Sequence, residues 1–229
     1  MKVGGIERLS LIDFPGKIAA VLFFQGCSFS CPFCHNPHLV DPKQFGPVIP
    51  LPAIKEFLLS RKTRLEAVVF SGGEPTIHPA LPSFIQEVKE MGFLTKLDTT
   101  GIHPEMIESL LKNNLLDYIA MDIKGPLERY SEIVQTPLPT EKVQKTISLI
   151  LSSTIPYEFR STLLPSLHQA KDLLAMTQMI QGARLYVLQT FRSTTTLSPL
   201  LKNAKNFSKE EMQSFQQLVS PFVSACHIR

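Results

Sequence analysis

The 229-residue sequence has no tryptophan, only four cysteines and little net charge. Its 23 basic and 20 acidic residues give a formal charge of +3, which is too small to favour nucleic acid or an anionic membrane surface as a partner. The longest early apolar run, residues 18–24, is far shorter than the roughly 20 residues of a membrane-spanning helix. No signal-peptide pattern begins the chain, so we expect a cytoplasmic protein with no membrane or nucleic-acid partner.

The sequence also lacks internal repeats and low-complexity tracts. Its apolar content of 44% is sufficient for one full hydrophobic core. We therefore expect a single domain over residues 1–229. Its parts are an N-terminal extension (1–17), a core (18–189) and a C-terminal loop and helix (190–229).

Six β-branched or aromatic runs alternate with longer helical patterns, which is typical of βαβ units and a parallel sheet. The predicted strands cover residues 19–24, 67–70, 94–97, 118–121, 157–162 and 185–188. The predicted helices cover residues 52–61, 80–91, 104–113, 140–152, 168–181 and 209–218. Six units are fewer than the eight units, in roughly 250 residues, of a complete barrel. We predict an α/β fold, an incomplete (β/α)6 barrel with outer helices; a doubly wound open sheet is the alternative, because alternation alone does not distinguish them.

Three of the four cysteines lie together in the stretch GCSFSCPFCHNPH. Cys27, Cys31 and Cys34 are separated by three and two residues, so one tight loop can direct three sulfurs at one point. In a reducing compartment such a cluster favours metal binding or catalysis over a disulfide. Zinc would need a fourth ligand, for which His35 and His38 are candidates, but no second ligand pair lies elsewhere. A cubane iron–sulfur cluster on three thiolates would leave one iron open to a non-protein ligand.

This CxxxCxxC spacing follows the first predicted strand, and Phe33 directly precedes the last cysteine. The pattern closely resembles the signature of the radical S-adenosylmethionine (SAM) enzymes. The resemblance implies a [4Fe-4S] cluster on Cys27, Cys31 and Cys34, with SAM completing the open iron. It also implies that SAM is cleaved reductively to a 5′-deoxyadenosyl radical, which takes a hydrogen atom from a substrate. The cofactors would then supply the difficult chemistry, and no side chain is expected to abstract the hydrogen.

Other predicted strand ends carry elements that match this family. The stretch SGGEP matches its GGE motif, which receives the SAM amino group. LDTTG and MDIKG match the DT and D-x-K elements of the branch that activates glycyl-radical enzymes, where they contribute to a monovalent-cation site and to cofactor contacts. Arg160 and Thr162 share one face of the fifth strand, and a guanidinium suits the cofactor carboxylate. Leu188 and Gln189 match a position whose backbone contacts adenine.

The resemblance thus implies a set of cofactor-binding residues beside the cluster ligands. Taken singly, several of them also fit ordinary turns, solvated charges or helix caps. The set consists of Phe33, Ser71, Gly72, Gly73, Glu74, Asp98, Thr99, Asp122, Lys124, Arg160, Thr162, Leu188 and Gln189.

The opening GGIERLSLIDFPG and the later QTFR look most like anaerobic ribonucleoside-triphosphate reductase activating proteins. Pyruvate formate-lyase activases carry a His-containing element where this chain has Gln189 and Arg192. A short, open barrel suits a large partner that closes over its mouth and excludes water. We therefore expect hydrogen abstraction from a glycine of anaerobic ribonucleotide reductase, with a flavodoxin- or ferredoxin-type electron donor. The alternatives are another glycyl-radical enzyme, a small molecule or RNA as substrate, and a zinc-holding interaction module.

Three histidines outside the cysteine loop do not form a ligand-spaced pair. We expect His78, His103 and His168 to be surface or capping residues rather than ligands. Cys226 is distant from the other cysteines in the sequence, and we expect it to play no part in the cluster.

Overall fold

Eight strands form one sheet in which every strand pairs with its neighbours in the sequence. The structure, a computed structural model, describes residues 1–229. Strands β2 to β7 are mutually parallel, β1 is antiparallel to β2, and β8 is parallel to β7. The strands are β1 Val3–Ser10, β2 Ala19–Phe24, β3 Ala67–Gly72, β4 Leu94–Thr99, β5 Tyr118–Asp122, β6 Tyr157–Leu163, β7 Tyr186–Thr190 and β8 Cys226–Ile228.

The sheet is an incomplete barrel, because its edge strands β1 and β8 do not pair with each other. The sequential strand order lacks the reversal that defines a doubly wound sheet. The predicted barrel is therefore confirmed and the doubly wound alternative is excluded. The six predicted strands are β2 to β7, several of them extended by one or two residues.

Two strands lie where the sequence predicted none. β1 falls in the predicted N-terminal extension, and its VGGIERLS sequence contains two glycines and an exposed charged stretch rather than clear alternation. β8 falls in the predicted C-terminal loop and helix, and its three residues are too few to form a pattern. Both strands are recruited by pairing with a neighbour, which local sequence does not encode.

Helices connect the parallel strands, and the six predicted ones are present with ends shifted by at most two residues. Ser208 caps the last of them in a capping box with Glu211. Two helices of four and five residues were not predicted, because they are too short for helical periodicity. No helix combines the length and apolar composition needed to cross a bilayer. The helices are α1 Pro37–Val40, α2 Leu51–Ser60, α3 Leu81–Glu90, α4 Pro104–Lys112, α5 Tyr130–Val134, α6 Thr140–Leu151, α7 Ala170–Met179 and α8 Lys209–Val219.

The two faces of the sheet pack differently. Outward-pointing side chains such as Leu22, Val68 and Ile119 belong to a core of 47 buried residues shared with the helices. The inward-pointing side chains include a smaller apolar cluster of six buried residues. In that cluster Phe14 packs on Tyr118, with their ring centroids 5.7 Å apart. We call this cluster the barrel floor; beyond it the inner face becomes polar.

Candidate active site

A cavity of about 330 Å³ lies on the inner face of the sheet and reaches the carboxyl ends of the parallel strands. We call it the main cavity, and its size is typical of small-molecule sites. Cys27, Cys31 and Cys34 line it together with every predicted cofactor-binding residue except Glu74 and Leu188. The fold thus gathers residues from six strand ends around one space. Their contacts with a cofactor stay predictions.

The three cysteines occupy the loop between β2 and α1. The loop turns tightly, because the backbone N–H of Cys34 donates to the carbonyl of Cys31 at 3.0 Å. Two further backbone N–H groups point at sulfur: Phe29 donates to Cys27 Sγ and Asn36 to Cys34 Sγ, both at 3.4 Å. Such donors favour the thiolate form that metal ligation requires.

Burial raises the pKa of all three thiols. The Cys31 thiol has its pKa raised to about 12, mainly by burial and in spite of the nearby Lys124 ammonium group. Glu74 adds to the effect of burial at Cys27. Three thiolates would therefore be costly here without a compensating positive charge, and a bound metal group supplies that charge.

The sulfurs do not converge on a single ion. No three His, Cys, Asp or Glu side chains in the structure have the geometry of a mononuclear metal site. A zinc ion would need four ligands around one point, including a fourth that no neighbouring side chain supplies. A cubane cluster binds each sulfur through a different iron, so it does not require the three thiols to meet around one ion. The cysteine loop therefore fits the cluster better than it fits zinc.

Gly72 and Gly73 form the part of the wall beside the cysteine loop. Gly72 has φ = +113°, and a Cβ added there would overlap the backbone nitrogen of Phe24. A Cβ on Gly73 would overlap the carbonyl oxygen of Gly26. Only glycine allows this close approach of two backbones, and it leaves main-chain polar groups at the cavity surface. Asn36 Nδ2 donates to the Gly72 carbonyl at 3.3 Å and ties the cysteine loop to this turn.

Glu74 faces away from the main cavity and is fully buried. Its carboxylate accepts hydrogen bonds from Thr76 N and Oγ1 at 3.1 and 2.6 Å and from Thr99 Oγ1 at 2.9 Å. Thr100 donates through both N and Oγ1 at 2.6 Å. The carboxylate therefore joins the turn after β3 to the end of β4. In this arrangement it supports the cavity wall instead of offering a free oxygen to a ligand.

Five charged side chains form a network along the inner face, in which Lys96 is buried and the other four side chains are 11–25% exposed. Arg160 Nε donates to Asp122 Oδ1 at 2.8 Å, and its Nη1 lies 3.3 Å from Asp98 Oδ2. Lys124 Nζ lies 2.9 Å from the other oxygen of Asp122, and Lys96 Nζ lies 2.5 Å from Asp98 Oδ1. We call these residues the inner ion network. Its mutual pairing compensates most of the cost of placing charges inside the barrel.

The inner ion network keeps both carboxylates ionised. Burial alone would raise the pKa of Asp122, but the Arg160 and Lys124 cations outweigh it, so the pKa is well below its usual range. Arg160 and Lys96 lower the pKa of Asp98 in the same way, against the effect of burial. The pKa of Lys124 is raised despite its burial, chiefly by Asp122.

One part of Arg160 is left for a ligand. Its Nε and Nη1 contact the network, whereas Nη2 has no hydrogen-bond partner in the protein. Every buried side-chain nitrogen in the structure has such a partner, so Nη2 is not buried and not enclosed by protein. Arg160 lines the main cavity. Lys124 lies over the Phe33 ring, 5.8 Å from its centroid. These are two cationic groups on the cavity wall that suit a carboxylate.

The predicted monovalent-cation site is less favoured by this geometry. Asp98 and Asp122 each contact two cationic side chains already. An added cation would be repelled by three neighbouring positive charges, and it would have to displace an existing ion pair.

The two predicted residues at the end of β7, Leu188 and Gln189, have different surroundings. Gln189 lines the main cavity, and its side chain accepts a weak hydrogen bond of 3.4 Å from Thr162. Leu188 belongs to the core, and its carbonyl already accepts the backbone N–H of Arg229 at 2.9 Å. Its carbonyl is thus used by the pairing with β8, which the sequence did not reveal.

Sequence reasoning missed several residues at the cavity. Asp13, Asn36 and Thr100 line it, and so does His35, which the sequence suggested only as a zinc ligand. His35 and Asn36 directly follow the last cysteine, so proximity to Cys34 was an available signal. Asp13 reaches the cavity only because the loop after β1 folds under the barrel, and no local pattern indicates this.

The sequence predicted surface or capping positions for three histidines, and His78 does cap the short 3-10 helix Pro75–Ile77. His78 and His168 are buried, with 8% and 3% of their surface exposed, so a surface position was wrong for both. Each is satisfied by the backbone: the His78 ring by the carbonyl of Gln25 at 3.1 Å, and the His168 ring by groups of Lys124 and Leu164. His103 contacts the Ser28 hydroxyl at 3.0 Å.

The chain matches the family described as the Radical SAM superfamily over residues 21–176. It is 32% identical to a candidate glycyl-radical enzyme activating enzyme of Methanocaldococcus jannaschii, over 99% of this chain and 95% of that protein. It is 34% identical to a pyruvate formate-lyase-activating enzyme of Clostridium pasteurianum, over 54% of this chain and 52% of the relative. A Staphylococcus aureus enzyme of the same name is 29% identical, over 73% and 70% of the two chains.

Solved structures share the fold. The chain superposes on Streptococcus suis SuiB bound to S-adenosylmethionine with a TM-score of 0.68 and 12% identity, over 91% of this chain and 51% of SuiB. It superposes on TYW1 with a lysine-pyruvate adduct at 0.64 and 16% identity, over 90% and 74% of the chains. For anSMEcpe with bound AdoMet the TM-score is 0.59 at 14% identity, over 87% and 57%. The chain therefore spans about half of SuiB, and at these identities the likeness concerns the fold alone.

Proposed function

Since the chain belongs to the radical SAM superfamily, we propose that it takes a hydrogen atom from a glycine Cα of a partner enzyme. The proposed partner is an anaerobic ribonucleoside-triphosphate reductase. Enzymes of this family use a [4Fe-4S] cluster and SAM. When bound, these groups supply one-electron cleavage of the sulfonium to methionine and a 5′-deoxyadenosyl radical that abstracts hydrogen. The chain's own task is to bind, orient and shield them.

The observation that carries the proposal is the shared main cavity. Three thiols on one loop and the polar residues of six strand ends line the same space. Cys27, Cys31 and Cys34 would hold the cluster. Arg160 Nη2 and Lys124 would face the carboxylate of SAM, and the backbone of the Gly72–Gly73 turn would face its amino group.

The activase assignment draws support from the relatives. The chain spans 95% of the M. jannaschii relative, which is a candidate activating enzyme for a glycyl-radical enzyme. For the reductase as partner, the support is Gln189 and Arg192 in place of the His-containing element of pyruvate formate-lyase activases. A flavodoxin or ferredoxin would supply the electron. We place the protein in the cytoplasm, where the thiols stay reduced.

A second candidate partner is a pyruvate formate-lyase. The relatives from C. pasteurianum and S. aureus are named as activating enzymes for it. The two partners would use the same main cavity and the same chemistry. They differ only in the protein segment that must reach it.

One experiment separates these partners. Reconstituted, reduced protein is mixed with SAM and either purified reductase or pyruvate formate-lyase, and glycyl radicals are measured by electron paramagnetic resonance. We expect one equivalent or less of radical per reductase chain and none on the lyase. Radical on the lyase alone reverses the partner assignment. SAM cleavage without radical on either protein contradicts the activase proposal.

The cluster ligands are tested with matched cysteine variants. Cys31→Ala should abolish both iron–sulfur assembly and SAM cleavage, because one iron would lose its thiolate. Cys226→Ala should leave both unchanged, since Cys226 lies on β8 outside the main cavity. Iron and sulfide analysis of anaerobically purified protein is the measurement. One zinc per chain without sulfide would favour the interaction module.

A further inference from the structure

A second cavity of about 320 Å³ lies on the open side of the barrel, between the loop after β1, strands β6 and β7, and Arg229 after β8. We call it the outer cavity. It shares Asp13, His35, Arg160, Thr162 and Gln189 with the main cavity, so the two form one continuous cleft. A segment entering through the unpaired edges of the sheet would pass through the outer cavity before it reached the cysteine loop.

The edge of this cleft exposes large apolar side chains. Leu9, Leu11 and Ile12 are 57%, 67% and 84% exposed, and Ile12 lines the outer cavity. We call these three residues the apolar rim. They are three of only seven large hydrophobic residues exposed anywhere on the chain. Such a concentration beside a cleft is typical of a protein-binding surface.

The cleft also presents two charges without ionic partners. Arg192 is exposed, lines the outer cavity and has no carboxylate within 4.0 Å, whereas Arg160 and Arg229 are paired with acidic residues. Asp13 has no cationic partner, and its carboxylate accepts only from the Ser10 hydroxyl at 2.5 Å. One free cation and one free anion therefore face the same space. They complement a segment that carries both an acidic and a basic group.

We propose that the apolar rim and the outer cavity are the docking site of the glycyl-radical partner, with Arg192 and Asp13 holding the charged residues that flank its target glycine. This inference rests on the proposed function. The rim would bind the body of the partner, and the cleft would bind the segment that reaches the main cavity. A bound segment would also close the open side of the barrel against water.

The test compares two variants with a matched control. Leu11→Ser/Ile12→Ser removes apolar surface from the rim, Arg192→Glu reverses the free cation, and Leu59→Ser changes a leucine on α2 that is 55% exposed. Dissociation constants for the partner identified by the radical assay, and SAM cleavage without partner, are measured for each. We expect both cleft variants to weaken partner binding at least tenfold, well beyond any change in SAM cleavage. Leu59→Ser should match the wild type.

Several outcomes would overturn this docking site. Partner binding as tight as in the wild type would exclude it. A dimer of wild type that the rim variant converts to monomer, seen by light scattering, would assign the rim to a second copy of the chain. A loss of SAM cleavage that is seen with a protein electron donor but not with dithionite would assign the rim to the binding of the electron donor. If no glycyl-radical enzyme is activated by the wild type, the proposed function fails first.

An independent observation concerns His168. The backbone N–H of Leu164 donates to His168 Nδ1 at 3.2 Å, so the proton of the neutral ring lies on Nε2. Nε2 then donates to the carbonyl of Lys124 at 3.0 Å. The N–H of Lys124 donates to the Tyr130 hydroxyl at 3.3 Å, so its main chain is held on both sides. The His168 ring also packs edge-on against Phe33, with centroids 6.3 Å apart.

We infer that His168 is a positioning residue that holds Lys124 and Phe33 in place for SAM. The inference rests on the proposed role of Lys124 as a SAM contact. His168 is 3% exposed and does not line the cavity, so it acts through its neighbours. It links the loop after β5 to the loop after β6, two strand ends that must keep their spacing for one ligand to contact both.

Two conservative variants separate positioning from simple stability. His168→Gln retains a donor near Nε2, and His168→Asn retains an acceptor near Nδ1. Both should lower the melting temperature of the cofactor-free protein similarly, but only His168→Asn should weaken SAM binding by calorimetry, by about tenfold. His78→Asn is the control, because His78 is also buried and bonded to a carbonyl but lies outside the cavity. Equal SAM affinity in the two His168 variants would refute the inference. A Lys124→Ala variant that binds SAM normally would instead refute the role of Lys124.

Discussion

The two faces of strands β4 to β6 carry opposite chemistry on the same backbone. Outward, Leu97, Ile119 and Phe159 are completely buried against the helices. Inward, the same strands carry Asp98, Asp122 and Arg160, which are partly buried and form ion pairs. Burial of apolar surface stabilises the outer face directly, whereas buried ion pairs contribute little net stability. The difference agrees with the proposed role of the inner charges in binding a ligand.

The strongest test of this difference between the two faces is to remove one carboxylate of the inner ion network. Asp122→Asn leaves Arg160 and Lys124 without their closest counter-charge, and we expect a loss of about 4 kcal/mol in the free energy of unfolding. SAM affinity should fall as well, since both cations would reorient. Urea unfolding of the cofactor-free protein measures the first effect. Lys17→Ala, which breaks an exposed pair with Glu66, should cost less than about 1 kcal/mol; equal losses would contradict the prediction.

A substitution on the outer face should lower the stability of the protein without changing its affinity for SAM. Ile119→Ala removes a fully buried side chain from β5 and should lower the free energy of unfolding by about 3 kcal/mol through the cavity it leaves. SAM affinity, measured at a temperature where the variant is folded, should stay within about twofold of the wild type. A loss of affinity as large as that of Asp122→Asn would show that the faces are not independent.

Glu74 can be compared with the carboxylates of the inner ion network, because it is a buried carboxylate held by neutral donors instead of cations. Each of its oxygens accepts one backbone N–H, from Thr76 or from Thr100. Whichever oxygen becomes an amide in Glu74→Gln, one backbone N–H loses its acceptor, and we expect a loss of about 2 kcal/mol by chemical denaturation. A variant as stable as the wild type would mean that the threonine hydroxyls rearrange to compensate.

The smallest expected effect is a pH dependence. The folded-state pKa values of Asp98 and Asp122 lie below their unfolded value of about 3.9, so the stability they contribute is complete above that pH. It is lost as the pH falls below about 4 towards the folded pKa values, by at most about 1.4 kcal/mol per pH unit for each proton. In the cofactor-free protein Asp122→Asn should therefore lose stability less steeply with acid than the wild type. Identical slopes would indicate that other carboxylates dominate.

Much of the fold follows from the amino-acid sequence. β-Branched and aromatic runs, helical patterns and the Pro and Gly positions were enough for six strands and six helices, because the strands are short, nearly continuous apolar runs and the helices bury one face each. The family also followed from short motifs, since CxxxCxxC and GGE depend on residue types at fixed local spacing. The match over residues 21–176 confirms that prediction.

The remaining features depend on contacts between residues far apart in the chain. β1 and β8 exist only because β2 and β7 offer them an edge, and the orientation of Glu74 is set by the threonines at the end of β4. The burial of His168, the pairing within the inner ion network and the cleft beside Arg192 are likewise absent from any local pattern. The folded structure decides these features because hydrogen bonds and charge pairing depend on distances in space, whereas the motifs depend on distances along the chain.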